Sequence, residues 1–211
     1  MKVAVYTLGC KVNTYESEYV IKEFVKRGYT LTDFSDTTAD VYLINTCTVT
    51  NTSDQKSRKM IRQARAKNKD AVVVAMGCFT QIRNNDNQIM DFVDVVIGNK
   101  DKSKVVDLTE DYIKNKQKIA NIEDINEADF DDMEISYFNT RTRALVKIED
   151  GCENFCSYCI IPYVRGRVRS KKPERVIEEA KRLVNNGYKE IVLTGIHTGH
   201  YGADLKDYDF S

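Results

Sequence analysis

Three short apolar runs, each closed within two residues by a cysteine, constrain this chain more than any other feature. VAVYTL (residues 3–8) leads into Gly9-Cys10, VYLIN (41–45) into Thr46-Cys47, and AVVVAM (71–76) into Gly77-Cys78. Runs that are apolar at nearly every position suit strands buried on both faces, as in a parallel sheet covered by helices. Helical patterns fill the intervals. Residues 15–27 carry Val20, Ile21, Phe24 and Val25 as a stripe, with Gly28 placed for a C-terminal cap. Residues 53–69 predict a polar, basic helix with Met60, Ile61 and Ala64 turned inward. A further strand is expected at 94–97 and a helix over 101–115. The alternation predicts an α/β fold with an N-terminal open parallel sheet and helices on both faces.

Composition then changes. Residues 121–134 (NIEDINEADFDDME) hold seven acidic side chains and no basic one, the mark of a linker or covering segment. The organisation expected is therefore a first domain over 1–120, an acidic linker over 121–140, and a second unit over 141–211, starting at about Arg141. In that unit ALVKIED reads as a strand and is followed by a cysteine-rich loop. Pro173 suits the first turn of a helix running to about Asn186, closed by Gly187, and EIVLTG (190–195) reads as the next parallel strand. This is the first strand–helix–strand unit of a partial (β/α) barrel. One such unit cannot bury its own sheet, so the sequence reads as a fragment of a longer chain.

Charge excludes little: Lys plus Arg and Asp plus Glu are 32 each in 211 residues, and patches matter more than sums for a nucleic-acid partner. No stretch approaches the roughly 20 apolar residues of a membrane helix, and the opening residues lack the form of a signal peptide. The expectation is a cytoplasmic protein with no membrane partner. In that compartment six cysteines point to metal binding or catalysis rather than disulfides.

The six divide into two sets of three. Cys152, Cys156 and Cys159 form C-x3-C-x2-C directly after a strand. Three thiolates on one loop suit three irons of a 4Fe–4S cluster. The fourth iron, without a protein ligand, is where S-adenosylmethionine (SAM) would chelate and be cleaved to a 5′-deoxyadenosyl radical. A zinc knuckle is the competing reading, but structural zinc takes four closed ligands. The two histidines, His197 and His200, lie far along the chain. Tyr158 is a candidate to pack on the adenine of SAM, and the turn at Thr194 and Gly195 a candidate to approach its amino group.

Cys10, Cys47 and Cys78 share the C-terminal edge of a parallel sheet, where sites of open α/β folds form. Strands lie about 4.8 Å apart, so three strand ends span about 10 Å, within reach of one auxiliary 4Fe–4S cluster. The alternative is three core cysteines. Arg165, Arg167, Arg169 and Lys171, with Lys172, crowd the segment after the loop and are candidate RNA contacts through phosphate. The basic residues of helix 53–69 read better as a solvated face.

LGCKVNTYES, INTCTVTNTSDQKSR, MGCFTQ, TRALVKIEDGCENFCSYCIIPYVRGRVRS and VLTGIHTG resemble the methylthiotransferase family of radical SAM enzymes across the whole sequence. The resemblance is greatest to the threonylcarbamoyladenosine tRNA methylthiotransferases. It implies C2 methylthiolation of N6-threonylcarbamoyladenosine next to the anticodon, by an enzyme with two 4Fe–4S clusters, SAM, a reducing electron donor and a sulfur source. It also implies that the Cys152 cluster generates the radical while the Cys10 cluster supplies or relays sulfur. Sister groups act on isopentenyladenosine in tRNA or on ribosomal protein S12. A non-catalytic iron–sulfur carrier is the alternative outside enzymes, and a zinc-bound RNA-binding module a third class.

Overall fold

The computed structural model describes residues 1–83, 85–136, 142–206 and 208. Arg141, the expected start of the second unit, lies outside the described residues.

The chain begins with β1 (Lys2–Thr7), α1 (Lys11–Lys26), β2 (Thr30–Thr32) and β3 (Val41–Thr46). It continues through α2 (Asn51–Lys67), β4 (Val72–Gly77), the short helices α3 (Cys78–Arg83) and α4 (Asn87–Met90), β5 (Val95–Ile97), α5 (Val105–Asn115) and β6 (Ile119–Asn121). The six strands form one sheet in the order β2-β1-β3-β4-β5-β6, every pair parallel. Every residue of β3 and β4 is buried, as their unbroken apolar runs require. The edge strands β2 and β6, three residues each, are half-exposed and were too short and mixed to show in the sequence pattern. Helix α1 starts four residues earlier than its apolar stripe suggested, because Cys10 takes the cap position ahead of the stripe.

Both faces of the sheet are covered. Val20 and Phe24 of α1 and Val105 and Val106 of α5 pack on Val3, Leu43 and Val74. Ile61 and Ala64 of α2, with Phe79 and Ile89, pack on Tyr42, Ile44 and Val73 opposite. Each such Val, Leu, Ile or Phe side chain, fully buried, contributes roughly 1.5–3 kcal/mol. Asp94 ties the α2 face to the sheet: it accepts the Val73 N–H at 2.8 Å and pairs with Arg65.

The second part contains β7 (Ala144–Lys147), β8 (Glu149–Asp150), α6 (Ile161–Arg165), β9 (Arg169–Ser170), α7 (Pro173–Asn185) and β10 (Ile191–Thr194). β10 lies parallel to β7 with Ile191 opposite Ala144, so β7, α7 and β10 make a parallel strand–helix–strand unit. ALVKIED is not one strand. Its last two residues leave β7 and pair antiparallel with β9, Asp150 opposite Arg169.

The two parts meet through a third core, in which Tyr15 of α1 packs with Leu145, Val146, Leu183 and Tyr188. The acidic stretch covers this seam and buries Ile125, Ala128, Met133 and Ile135. Tyr15 Oη lies within hydrogen-bond distance of Met133 O and, at 2.8 Å, of Glu179 Oε1 of α7. The same carboxylate pairs with buried Lys171 at 2.5 Å.

Candidate functional site

The three N-terminal cysteines occupy three equivalent strand-to-helix turns. Cys10 is the cap residue of α1, with extended backbone (φ −99°, ψ −178°) and its carbonyl accepting from Thr14 N–H at 3.1 Å. Cys47 follows β3 and is pinned by Ser57 of α2, whose Oγ accepts the Cys47 N–H at 3.1 Å and donates to its carbonyl at 2.7 Å. Cys78 opens α3 directly after β4. The register sets Thr7 opposite Asn45 and Thr46 opposite Gly77, so the three turns stand in line.

Gly9 makes their approach possible. It sits at φ +99°, and a Cβ there would lie 3.1 Å from Cys47 Cβ and 3.2 Å from its Sγ. The three cysteines line one cavity of about 260 Å³, together with Asn13 and, from the second part, Ile161, Arg165 and Ile196. A larger cleft, about 560 Å³, opens beside β2 near Tyr6, Phe34 and Lys67 and contains none of the cysteines.

Two asparagines hold the turns together. Asn13 Nδ2 donates to Leu8 O at 2.8 Å and Thr46 O at 3.0 Å, while its Oδ1 lies 3.7 Å from Cys10 Sγ. Asn45 Nδ2 donates to Asn13 O at 2.9 Å and Ser17 Oγ at 3.0 Å. A third, Asn99, places Nδ2 3.6 Å from Cys78 Sγ. The sequence reading missed all three. A signal was present: Asn13 and Asn45 each stand within three residues of a cysteine, and α1 carries polar residues on the face that should turn inward.

The second cysteine set lies on the loop between β8 and α6. Cys152 is buried, Cys159 intermediate and Cys156 exposed. Cys152 N–H donates to Gly166 O at 3.0 Å and Cys159 N–H to Cys156 O at 2.8 Å. Phe155 turns the loop at φ +44° and meets Tyr163 edge-on, ring centroids 5.7 Å apart. Tyr158 is 90% exposed, its face open to a ligand.

Thr194 is buried at the end of β10. Gly195 lets Glu149 approach, since a Cβ there would lie 2.5 Å from Glu149 Oε2. That oxygen accepts the His197 N–H at 2.7 Å, and Oε1 has no hydrogen-bond partner among the described residues. Burial pushes the Glu149 carboxyl up to about 7, against the opposing pull of that N–H.

All six cysteines are free thiols. Among the described residues no three His, Cys, Asp or Glu side chains converge on a point where a single metal ion would sit. Three free cysteines around one cavity are a donor set that fits a multinuclear cluster. The loop set offers the same donors, from buried Cys152 to exposed Cys156.

The expected RNA track requires correction at three of its four positions. Arg165, Arg169 and Lys171 are 0%, 4% and 1% exposed. They face carboxylates instead of solvent: Arg165 lies against Glu16 and Asp150, Arg169 against Asp150, and Lys171 against Glu179. The sequence showed five basic residues in a stretch of eight, but the partners of the buried three come from α1, β8 and α7, which only the fold brings near. Arg167 is half-exposed and remains available. On α2, Arg58 and Arg65 are tied to Asp54 and Asp94, leaving Lys56, Lys59 and Arg62 on the exposed face.

Residues 2–98 match the model of the uncharacterized protein family UPF0004, and residues 146–208 that of the radical SAM superfamily. The chain joins a UPF0004 domain to a radical SAM domain. The three N-terminal cysteines fall in the UPF0004 domain and the loop cysteines in the radical SAM domain, a class that uses SAM with an iron–sulfur cluster.

Among relatives, the chain is 49% identical over 210 residues to threonylcarbamoyladenosine tRNA methylthiotransferase MtaB of Bacillus subtilis, covering 99% of this chain and 46% of that protein. The Aquifex aeolicus protein of the same name is 39% identical over 209 residues, covering 97% and 50%. A tRNA-2-methylthio-N(6)-dimethylallyladenosine synthase of Clostridium botulinum is 34% identical over 206 residues, covering 95% and 45%. The chain thus spans about half the length of the curated relatives it matches. In structure it resembles a radical S-adenosylmethionine methyltransferase, TsrM, of Kitasatospora setae (TM-score 0.58, 11% identity, covering 94% of this chain and 48% of that one). At that identity the likeness concerns the fold alone. No described helix is long and apolar enough to cross a membrane.

Proposed function

We propose that the radical SAM and UPF0004 domains form the front half of a tRNA methylthiotransferase acting at C2 of N6-threonylcarbamoyladenosine, next to the anticodon. The observation that carries this reading is the cavity shared by Cys10, Cys47 and Cys78 with Arg165 and Ile196. It sets a sulfur-rich site of the first domain against the elements that bear the second cysteine set. Two 4Fe–4S clusters, one per set, would supply radical generation with SAM at the loop and sulfur at the cavity. The chain's own residues do the rest. Asn13, Asn45 and Ser57 fix the three strand-end cysteines, and the Phe155 turn presents Cys156 and Tyr158 outward.

Tyr158, Thr194 and Gly195 are proposed SAM contacts, and Arg167 with the exposed α2 cations proposed tRNA contacts. A reducing electron donor, a sulfur source and a cytoplasmic location belong to the same proposal. The 34% identity to a dimethylallyladenosine synthase supports a second reading, the same chemistry on isopentenyladenosine. Nucleoside mass spectrometry of tRNA from cells lacking the protein decides the matter. Loss of the methylthio form of threonylcarbamoyladenosine is expected. Loss of the methylthio form of isopentenyladenosine instead favours the second reading, and an unchanged nucleoside profile overturns both.

A further inference from the structure

The seam behind the N-terminal cysteines holds more buried positive charge than carboxylate. Among the described residues, Lys102, Lys147, Arg165 and Arg169 make their ion pairs with Glu16 and Asp150. None of the six side chains is more than 5% exposed. Four basic side chains thus share two ion-pair carboxylates, with Lys147 also over the Phe130 ring, and an unmatched buried ion costs several kcal/mol. Among these four, Arg165 is the member that lines the cysteine cavity.

Its guanidinium is fixed from behind. Nη1 lies 2.7 Å from Glu16 Oε1 and 3.1 Å from Asp150 Oδ2, and Nη2 donates to Asn13 Oδ1, the oxygen that neighbours Cys10 Sγ. The remaining donor, Nε, is buried with no hydrogen-bond partner among the described residues. A planar fork can serve two carboxylates and an amide at once, which an ammonium cannot. Helix α1 points its N-terminal end, with Cys10 as cap, at the same cavity and adds a partial positive charge.

We propose that Arg165 is a positioning residue for the N-terminal cysteine set. It forms the cationic wall against which an anionic iron–sulfur group on Cys10, Cys47 and Cys78 is held, and it raises the reduction potential of that group. The proposal rests on the cluster-ligand reading of those cysteines and goes beyond it in assigning Arg165 to the cluster and withdrawing it from RNA.

The test uses the protein with Cys152, Cys156 and Cys159 all changed to alanine, so that only the N-terminal site can load. After anaerobic reconstitution with iron and sulfide, iron content and midpoint potential are measured. The variant is Arg165→Met combined with Glu16→Gln, which removes one charge of each sign. Lys147→Met, which withdraws a seam cation outside the cavity wall, is the control. The double variant should shift the one-electron reduction equilibrium at least tenfold toward the oxidised form, about 59 mV lower, and the control should shift it less.

If the double variant does not fold, Arg165→Lys carries the test: it keeps one charge, loses the fork, and should retain severalfold less iron through gel filtration. A parent protein that takes up no iron defeats the cluster reading and the proposal together. A parent that loads, with Arg165 variants matching its potential and iron content, defeats the role of Arg165 alone.

Discussion

Arg165 and Glu16, 149 positions apart, form a fully buried ion pair, with Nη1 2.7 Å from Oε1. Burial alone would raise the Glu16 carboxyl. Arg165, Lys102 and Lys147 outweigh it and hold the group well below the usual carboxylate range. The pair joins the first helix of the UPF0004 domain to α6, the helix that follows the second cysteine set, so the geometry of one cysteine set depends on the other domain.

Changing Glu16 to Ala should therefore destabilise the protein by about 3–5 kcal/mol, the usual cost of leaving a buried charge unpaired. Three cations lose their shared partner at once. Urea unfolding measures the effect. A change below about 1 kcal/mol would mean that water replaces the carboxylate and that the seam is not dry.

Cys47→Ala and Cys156→Ala should fail differently. Losing Cys47 should spare 5′-deoxyadenosine formation and abolish the methylthio-nucleoside. Losing Cys156 should abolish both, because the loop has no spare thiolate. Anaerobic assays that quantify the two products together make the comparison. Methylthiolated tRNA at the wild-type level from the Cys47 variant would end the sulfur-handling reading of the first domain.

Glu149 predicts a pH dependence of stability. Its carboxyl is pushed up to about 7 in the folded protein, above its ordinary value of 4.5, with burial as the main cause. The folded state therefore keeps this proton while the unfolded chain releases it. The contribution is fully present below about pH 4.5 and is lost as pH rises through 7. Glu149→Gln should flatten the stability profile across that window, by an amount on the order of 3 kcal/mol. Thermal unfolding from pH 4 to pH 8 reads the difference between the two slopes.

Gly9→Ala tests the close approach of the first two strand-end turns. The position needs φ +99° and has Cys47 Sγ where the new methyl would come. A loss of 1–3 kcal/mol is expected from backbone strain, with a lower iron content after reconstitution. Iron content equal to the wild type would show that the turns have room to separate.

The sequence alone determined the layered α/β plan, because strands buried on both faces must be apolar throughout and helices between them must carry a stripe. It determined the division of the cysteines, since C-x3-C-x2-C is local and each of the other three ends an apolar run. Local patterns also located Pro173 in the first turn of α7 and the parallel pairing of β7 with β10.

Only the tertiary structure decided which polar residues serve the site. Arg165, Arg169 and Lys171 read as a basic surface track because a one-dimensional pattern records charge and not its partner. Glu16, Asp150 and Glu179 reach them from separate elements, and Coulomb attraction acts through space with no regard for sequence separation. Asn13 and Asn45 likewise become a brace between turns only when β1 and β3 lie side by side. Periodicity encodes which face of an element is buried. It does not encode which other element is buried against it, and that pairing is what brings the cysteine cavity and its cationic wall together.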